Sequence, residues 1–172
     1  FNIEEGAAQN LNIYNITKRV VGRIEEKRTE KRIAGSNLFE TIPIEFHYLS
    51  LRNAEEIYGV NSLMDMIVDN LTSNAVKSIE NNSRRISVGR IDYRYKGSSE
   101  NFILEVSDNG AGIDPSIEND IFKAHVSSEP NGVGFGLYFV KHVLENVFGG
   151  TIRFESTPYK GAKFIFSIPL NK

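Results

Sequence analysis

Apolar residues recur at helical spacing in three stretches of the chain. Residues 1–35 have this spacing and end in a charged run, which predicts a mostly helical segment. From Ser62 to Ile79 the apolar side chains fall within an arc of about 120° on a helical wheel, which predicts an amphipathic helix packed on a core. A third helix is predicted from about 136 to 148, ended by the Gly149-Gly150 pair.

Apolar and polar residues alternate in the intervening segments, which predicts strands. Residues 41–49 contain Pro43 and suit an edge strand. Two hairpins are predicted, and the shift in apolar positions at Gly89 predicts a bulge in the first strand. Helices interleaved with hairpins indicate an α+β fold, a two-layer sandwich with one face of the sheet covered by helices. The predicted hairpin strands are 86–95 with 101–107, and 151–156 with 162–170.

The amino-acid composition of the chain excludes several kinds of site and partner. A chain of 172 residues with 40% hydrophobic and 24% charged residues is predicted to form one globular domain with a short appended segment. The absence of cysteine excludes disulfides, thiolate nucleophiles and zinc–thiolate sites. A net charge of -2 argues against a nucleic-acid partner, and the mixed charges of residues 23–32 favour a solvated helix face over a nucleic-acid or lipid patch. Because the chain starts with Phe1, we expect it to be a piece of a longer protein.

The central helix carries three polar residues beside its apolar face. Asn70, Asn74 and Lys77 lie within about 60° of one another on the helical wheel. An Asn carbonyl oxygen is a ligand for a hard cation such as Mg²⁺, and Lys can bind a phosphate as a point charge. Taken alone, this set is more typical of two asparagines in local hydrogen bonds and a surface lysine than of a metal and phosphate site.

Two glycine-containing segments follow. Asp108 ends an apolar strand and precedes Gly110 and Gly112, so a carboxylate that can accept from an exocyclic amine stands beside a backbone able to approach a ligand. The run Gly132-Val133-Gly134-Phe135-Gly136-Leu137 leads into the third helix, whose first N–H groups can bind phosphate. An Asx turn and a flexible loop are the ordinary interpretations of these two segments when each is considered alone.

In their order along the chain, these segments resemble the four nucleotide-binding boxes of the GHKL ATPase superfamily. The similarity is greatest to the catalytic ATP-binding domain of sensor histidine kinases, covers about residues 40–170, and implies the Bergerat fold with a mixed sheet. The matching segments are Asp69–Lys77, Asp108–Ile113, Ile121-Phe122 and Gly132–Leu137.

The resemblance implies a role for each matching residue. Asp108 would receive the adenine amino group of ATP, and Asn70 and Asn74 would hold Mg²⁺ against the phosphates. Lys77 would reach the phosphates, and Gly110 and Gly112 would admit the base. The remaining implied roles are a lid that closes through Gly132, Gly134 and Gly136, and apolar pocket walls formed by Ile113, Phe122 and Leu137.

Two departures from the family pattern affect the expected site. Ser78 stands where many relatives have an aromatic residue that stacks on adenine. The lid, residues 113–131, is short, and Ser127-Ser128-Glu129 replaces the Thr-Thr-Lys of a related subgroup, which leaves Lys123 as the candidate cation for the γ-phosphate.

The identity of residue 70 bears on the reaction. Members of the superfamily that hydrolyse ATP use a Glu in this helix to activate water, whereas here that position is Asn70, and an amide cannot take the proton. Phosphoryl transfer to a neutral His, which already offers a lone pair, suits this residue better. Asp69 and Glu129 keep hydrolysis open as an alternative, and a nucleotide-binding module that signals by conformation is another.

The resemblance also implies partners and a division of the chain. None of His47, His125 and His142 has the acidic helical surroundings of the family's phosphoacceptor. The acceptor is therefore expected on an upstream helical dimerisation domain, with residues 1–35 as its end or as a connector and 36–172 as the catalytic domain. A homodimer, a downstream response regulator and a cytoplasmic location are implied, with membrane anchoring in the full-length protein left open.

Overall fold

The computed structural model describes residues 8–33, 42–51, 56–126 and 134–170. Three helices and seven strands lie in these ranges, together with a short 3₁₀ turn at Glu118–Asp120. No helix within them has the length and apolar character required to cross a membrane. The helices are α1 Ile13–Ile33, α2 Asn61–Asn81 and α3 Gly136–Asn146, and the strands are β1 Gln9–Asn12, β2 Ile44–Leu51, β3 Glu56–Gly59, β4 Gly89–Gly97, β5 Asn101–Asp108, β6 Thr151–Thr157 and β7 Gly161–Pro169.

The five longer strands form one mixed sheet in the order β2-β4-β5-β7-β6. The edge strand β2 runs parallel to β4, and the other neighbouring pairs are antiparallel. The predicted edge strand and both hairpins are therefore confirmed. In the second hairpin Ile152 lies opposite Phe166, and Phe154 lies opposite Phe164.

The helices form the second layer of the sandwich, on one face of this sheet. α2 lies between α1 and α3 and contacts β4, β5 and β7. Its buried side chains include Ile67, Leu71 and Ile79, and the sheet contributes fully buried residues such as Tyr93 and Phe166 to the same core. The α+β sandwich covered on one face, predicted from the pattern, is confirmed.

Two features at the strands differ from the prediction. Residues 9–12 form β1, which pairs antiparallel with β3 through Leu11 and Ile57, so the N-terminal segment is not wholly helical. Strands of four residues are too short to show a period against the helical pattern that follows. The bulge at Gly89 was wrong, because β4 begins at that residue and the apolar residues before it belong to the turn after α2.

The charged residues of α1 bind α2 and are not all solvated as predicted. Arg19 and Arg23 both donate to the Asp65 carboxylate, and Arg28 lies 3.3 Å from Glu80. Burial acts to raise the pKa of Asp65, but the hydrogen bonds from Arg23 and Arg19 together with their charges hold that pKa below its usual value. These ion pairs fix α1 against the helix that carries the polar residues of interest. The expected division of the chain at residue 35 falls outside the described residues and stays a prediction.

Candidate functional site

The end of β5 places Asp108 beside α2. Its Oδ1 accepts hydrogen bonds from the Ser78 hydroxyl at 3.0 Å and from the Gly110 backbone amide at 2.8 Å. Burial raises the pKa of Asp108 to about 6, although the hydrogen bonds from Gly110, Ser78 and the Ala162 backbone act to lower it. A carboxylate that is largely removed from water is thus oriented by two donors at its first oxygen.

The two glycines after Asp108 lie where side chains would not fit. A Cβ on Gly110 would collide with the backbone of Ser78, and Gly112 has a φ of +75° with the Thr157 carbonyl oxygen 2.6 Å from where its Cβ would be. The left-handed backbone at Gly112 is one that L side chains rarely adopt. The backbone at these glycines thus packs closely against α2 and against the turn between β6 and β7, and their expected role in admitting the base stays a prediction.

Hydrogen bonds fasten this loop on both sides. The Ala111 amide donates to the Ser78 carbonyl at 2.9 Å, and the Ile113 amide donates to the Ser156 hydroxyl at 2.8 Å. The buried Asn82 side chain donates to the Gly110 carbonyl at 3.0 Å. Sequence reasoning missed these anchoring roles of Ser78, Asn82 and Ser156, since only the fold brings α2 and β6 to the loop.

On α2, Asn70 faces the start of α3. Its amide nitrogen donates to the Met66 carbonyl at 2.8 Å, and its Oδ1 is directed at Gly136, where an added Cβ would be 2.6 Å away. Asn74 is half-buried one turn further along α2, and its side chain forms no hydrogen bond with a residue in the described ranges. Lys77 is exposed on the next turn. The fold thus joins Asn70 to the glycine segment before α3.

The start of α3 packs against residues 125 and 126 of the predicted lid. Gly134 has a φ of +69°, and an added Cβ would lie 2.5 Å from the Val126 amide nitrogen. Gly136 is the first residue of α3, and Gly132 lies outside the described residues. The His125 and Phe135 rings contact each other edge to face, with centroids 4.5 Å apart. The N-terminus of α3 therefore lies beside Asn70 and beside these two lid residues.

The three predicted wall residues are half-buried and pack against the hydrophobic core. Phe122 lies between the two layers, with its ring centroid 6.0 Å from that of Phe154 and 6.4 Å from that of Phe164. Ile113 ends the loop after β5, and Leu137 lies in the first turn of α3. The structure therefore packs all three residues against the core, and their role as walls of a nucleotide pocket stays a prediction.

Residues 59–172 match the family model described as "Histidine kinase-, DNA gyrase B-, and HSP90-like ATPase". The chain belongs to this family. Its relatives place it with the catalytic ATPase domains of sensor histidine kinases.

Two curated relatives illustrate the similarity. The signal transduction histidine-protein kinase AtoS of Escherichia coli is 31% identical over 109 residues, which cover 63% of this chain and 17% of AtoS. The autoinducer 2 sensor kinase/phosphatase LuxQ of Vibrio vulnificus is 37% identical over 121 residues, which cover 63% of this chain and 13% of LuxQ. The chain thus spans less than a fifth of the length of these relatives.

Solved structures share the fold. The catalytic domain of the histidine kinase ThkA superposes with a TM-score of 0.74 at 20% identity, covering 95% of this chain and 97% of that chain. Full-length ShkA in complex with AMPPNP superposes with a TM-score of 0.71 at 22% identity, covering 98% of this chain and 32% of that chain. The Bergerat-type fold implied by the resemblance is confirmed.

The side-chain oxygens of this ATPase domain suit a hard cation that is bound mainly by the phosphates of a nucleotide. Within the described ranges no group of three or more His, Cys, Asp or Glu side chains could hold a metal ion. Asn70 directs a carbonyl oxygen away from its own helix, and amide oxygens are among the ligands that Mg²⁺ accepts. A cation bound here would need further oxygens from a nucleotide, which is how Mg²⁺ is usually held.

Lys123 is not well placed for its expected role in the described arrangement. Its ammonium group lies 2.6 Å from the Asp120 carboxylate, one turn earlier, and the side chain is largely exposed. An exposed pair of this kind is weak and exchanges readily with solvent. A role for Lys123 at the γ-phosphate therefore stays a prediction that requires this ion pair to open.

Proposed function

We propose that this domain binds Mg-ATP and transfers its γ-phosphate to a histidine on an upstream helical dimerisation domain of a homodimeric sensor kinase. A response regulator would receive the phosphate afterwards, and the reaction would take place in the cytoplasm. The observation that carries this proposal is the position of Asn70, an amide and not a carboxylate, beside the N-terminus of α3. ATP would lie between this point and Asp108.

At the adenine end, Asp108 supplies the acceptor. An ionised carboxylate accepts from the 6-amino group of adenine and repels the 6-carbonyl of guanine, so the site would select ATP over GTP. Gly110 and Gly112 let the loop pack closely against α2 and against the turn after β6, which would set the position of Asp108 relative to the base. The half-buried position of Asp108 strengthens the hydrogen bond, because the surrounding dielectric is lower than that of water.

At the phosphate end, three kinds of group converge. The first N–H groups of α3 attract phosphate oxygens through their partial positive charge. Asn70 and Asn74 would hold Mg²⁺ by their carbonyl oxygens, and the metal would neutralise charge that develops on the phosphates. Lys77 would add a positive charge from the next turn of α2. Positioning and charge stabilisation of this kind are the main requirements of phosphoryl transfer.

Hydrolysis is disfavoured by the surroundings of Asp69. Its carboxylate lies 3.9 Å from the Arg23 guanidinium of α1, whereas Asn70 faces α3. Successive residues of a helix point about 100° apart, so the Asp69 carboxylate points in a different direction from the Asn70 amide. This difference supports phosphoryl transfer over hydrolysis, while Glu129 lies outside the described residues.

The three histidines have surroundings that differ from those of a phosphoacceptor. His47 lies on the edge strand β2 and is 3.3 Å from Glu45. His125 packs against Phe135, and the His142 ring stacks on Tyr138 with centroids 6.0 Å apart. These contacts support an acceptor outside this chain.

The test is transfer of label from γ-labelled ATP in the full-length protein. We expect acid-labile, base-stable phosphate on a histidine upstream of this domain, and no label on residues 1–172. Asn74→Ala should abolish labelling, whereas Asn81→Ala, an exposed amide at the end of the same helix, should leave it unchanged. Rapid ATP hydrolysis without labelling would favour the hydrolytic alternative. Tight ATP binding with neither reaction would favour a module that signals by conformation.

A further inference from the structure

Ser78 is the side chain through which α2 contacts the Asp108 carboxylate. Its hydroxyl donates to Oδ1 at 3.0 Å, and the Gly110 amide donates to the same oxygen at 2.8 Å. Because both bonds end on Oδ1, Oδ2 keeps accepting capacity for a bound ligand. We propose that Ser78 is a positioning residue for nucleotide selection, holding the Asp108 carboxylate in the orientation that accepts the 6-amino group. This inference rests on the function proposed above.

The Ser78 hydroxyl restricts rotation of the Asp108 carboxylate. Rotation of a carboxylate about the Cβ–Cγ bond is broad, because this is a bond between sp³ and sp² atoms. The Gly110 amide belongs to the residue two positions after Asp108, so it constrains the carboxylate only from its own loop. Ser78 adds a side-chain donor from a different element, the helix α2. The Ala162 backbone of β7 also hydrogen-bonds the carboxylate, so Ser78 is the donor that fixes the carboxylate relative to α2.

The backbone around Ser78 sets the distance between the hydroxyl and the carboxylate. Its carbonyl accepts from the Ala111 amide at 2.9 Å, and the Gly110 Cα packs directly against the Ser78 backbone. This backbone hydrogen bond fixes the distance between the loop and α2 at Ser78. A hydroxyl one carbon from the helix backbone spans this gap, whereas a methyl group fills the same space but leaves Oδ1 with one donor fewer.

Ser78 also favours the ionised form of the carboxylate that amine recognition requires. A hydrogen bond to a charged acceptor stabilises the charge, and Ser78 supplies one of the bonds that oppose the effect of burial on Asp108. Removing the hydroxyl would loosen the carboxylate and would make it harder to ionise. Both changes weaken binding of a 6-amino base. Neither weakens binding of a base with a 6-carbonyl, which the ionised carboxylate repels.

The experiment compares ATP with inosine triphosphate (ITP), which differs at position 6 by a carbonyl in place of the amino group. Affinities are measured by calorimetry on the full-length protein. We expect Ser78→Ala to weaken ATP binding about three- to tenfold, the scale of one hydrogen bond to a charged group, with ITP binding no weaker than in the wild type. Ser78→Thr, which keeps a hydroxyl, should restore most of the preference for ATP. The retained ITP affinity also shows that the variant is folded.

Two controls separate positioning from loop structure. Ser156→Ala removes the hydroxyl that accepts from the Ile113 amide in the same loop but does not touch the carboxylate, so it should weaken ATP and ITP equally. In an Asp108→Asn background, Ser78→Ala should change ATP affinity by less than about twofold, since its effect acts through the carboxylate.

Each other outcome overturns the inference. If Ser78→Ala weakens ATP and ITP equally, or costs as much in the Asp108→Asn background as in the wild type, the hydroxyl acts on loop structure alone. A Ser78→Ala protein with the wild-type preference for ATP refutes the positioning role and leaves the proposed function intact. A wild-type protein that binds ATP and ITP equally, or binds neither, refutes the role of Asp108 itself and this inference with it.

Discussion

Replacing Asp108 by Asn should stabilise the folded protein at neutral pH while weakening ATP binding. Asn has nearly the same shape as Asp and can still accept from Ser78 and Gly110 through its carbonyl oxygen. It carries no charge, so the cost of holding a carboxylate away from water is removed. The same substitution removes the charged acceptor for the adenine amino group.

The pKa of Asp108 gives the size of the stabilisation. Burial raises this pKa from 3.8 to about 6. A pKa difference of about 2 corresponds to about 3 kcal/mol between the charged and neutral forms. Because the folded-state pKa is the higher one, folding favours the neutral acid, and the free energy of unfolding falls as pH rises from about 4 to 6. Asp108→Asn should therefore raise the free energy of unfolding by up to about 3 kcal/mol at pH 7.5, and by little near pH 4.

Urea denaturation followed by circular dichroism, at pH 7.5 and pH 4, measures this difference for both proteins. Asp114→Asn in the same loop is the matched control. Asp114 is exposed, and hydrogen bonds from the Ser116 backbone and side chain lower its pKa, so its replacement should destabilise the protein at pH 7.5. Calorimetry on the same samples should show ATP binding to Asp108→Asn weaker by more than about 1.5 kcal/mol.

Equal or lower stability of Asp108→Asn at pH 7.5 would refute the reasoning, because it would mean that the hydrogen bonds from Gly110 and Ser78 outweigh burial. Stabilisation of the same size at both pH values would also refute it, since the gain would then not come from removing a charge. Undiminished ATP affinity would leave the stability argument standing but remove Asp108 from the nucleotide site.

Three other substitutions test the site and its support. Asn74→Ala should remove the Mg²⁺ dependence of ATP affinity, measured by calorimetry with and without the metal, whereas Asn81→Ala should keep it; equal metal dependence in all proteins would contradict the assignment. Gly110→Ala should destabilise the fold by about 1 to 3 kcal/mol in urea denaturation, because the added methyl group collides with α2. Gly22→Ala should be neutral or stabilising, because there is open space around that Cα. Equal effects of the two substitutions would argue against close packing at the loop. Asp65→Asn should lower stability at pH 7.5 and progressively less as the pH falls below the usual pKa of Asp, because the two arginines of α1 stabilise the ionised form. A loss that does not change with pH would indicate a packing defect.

The sequence alone determined the secondary structure that carries the site and the residue types of its chemistry. The apolar arc from Ser62 to Ile79 is long enough to define a helical period, so α2 and its polar border at Asn70 and Asn74 followed from spacing. The strand ending in Asp108 and the glycines around it were readable for the same reason: each is a local signal. The four-residue strands β1 and β3 were not readable, because their pairing is between segments distant in sequence.

The tertiary structure decided which groups act on one another. Ser78 gave no signal of a role in the sequence, yet the packing of α2 on the loop after β5 places its hydroxyl on Asp108. The direction of the Asp108 pKa shift depends on burial, which no local pattern specifies. The Arg23 guanidinium near the Asp69 carboxylate likewise comes from a separate helix, which no local pattern indicates. Local periodicity determines where a residue lies on its own element, whereas partners, burial and charge depend on how distant elements pack together.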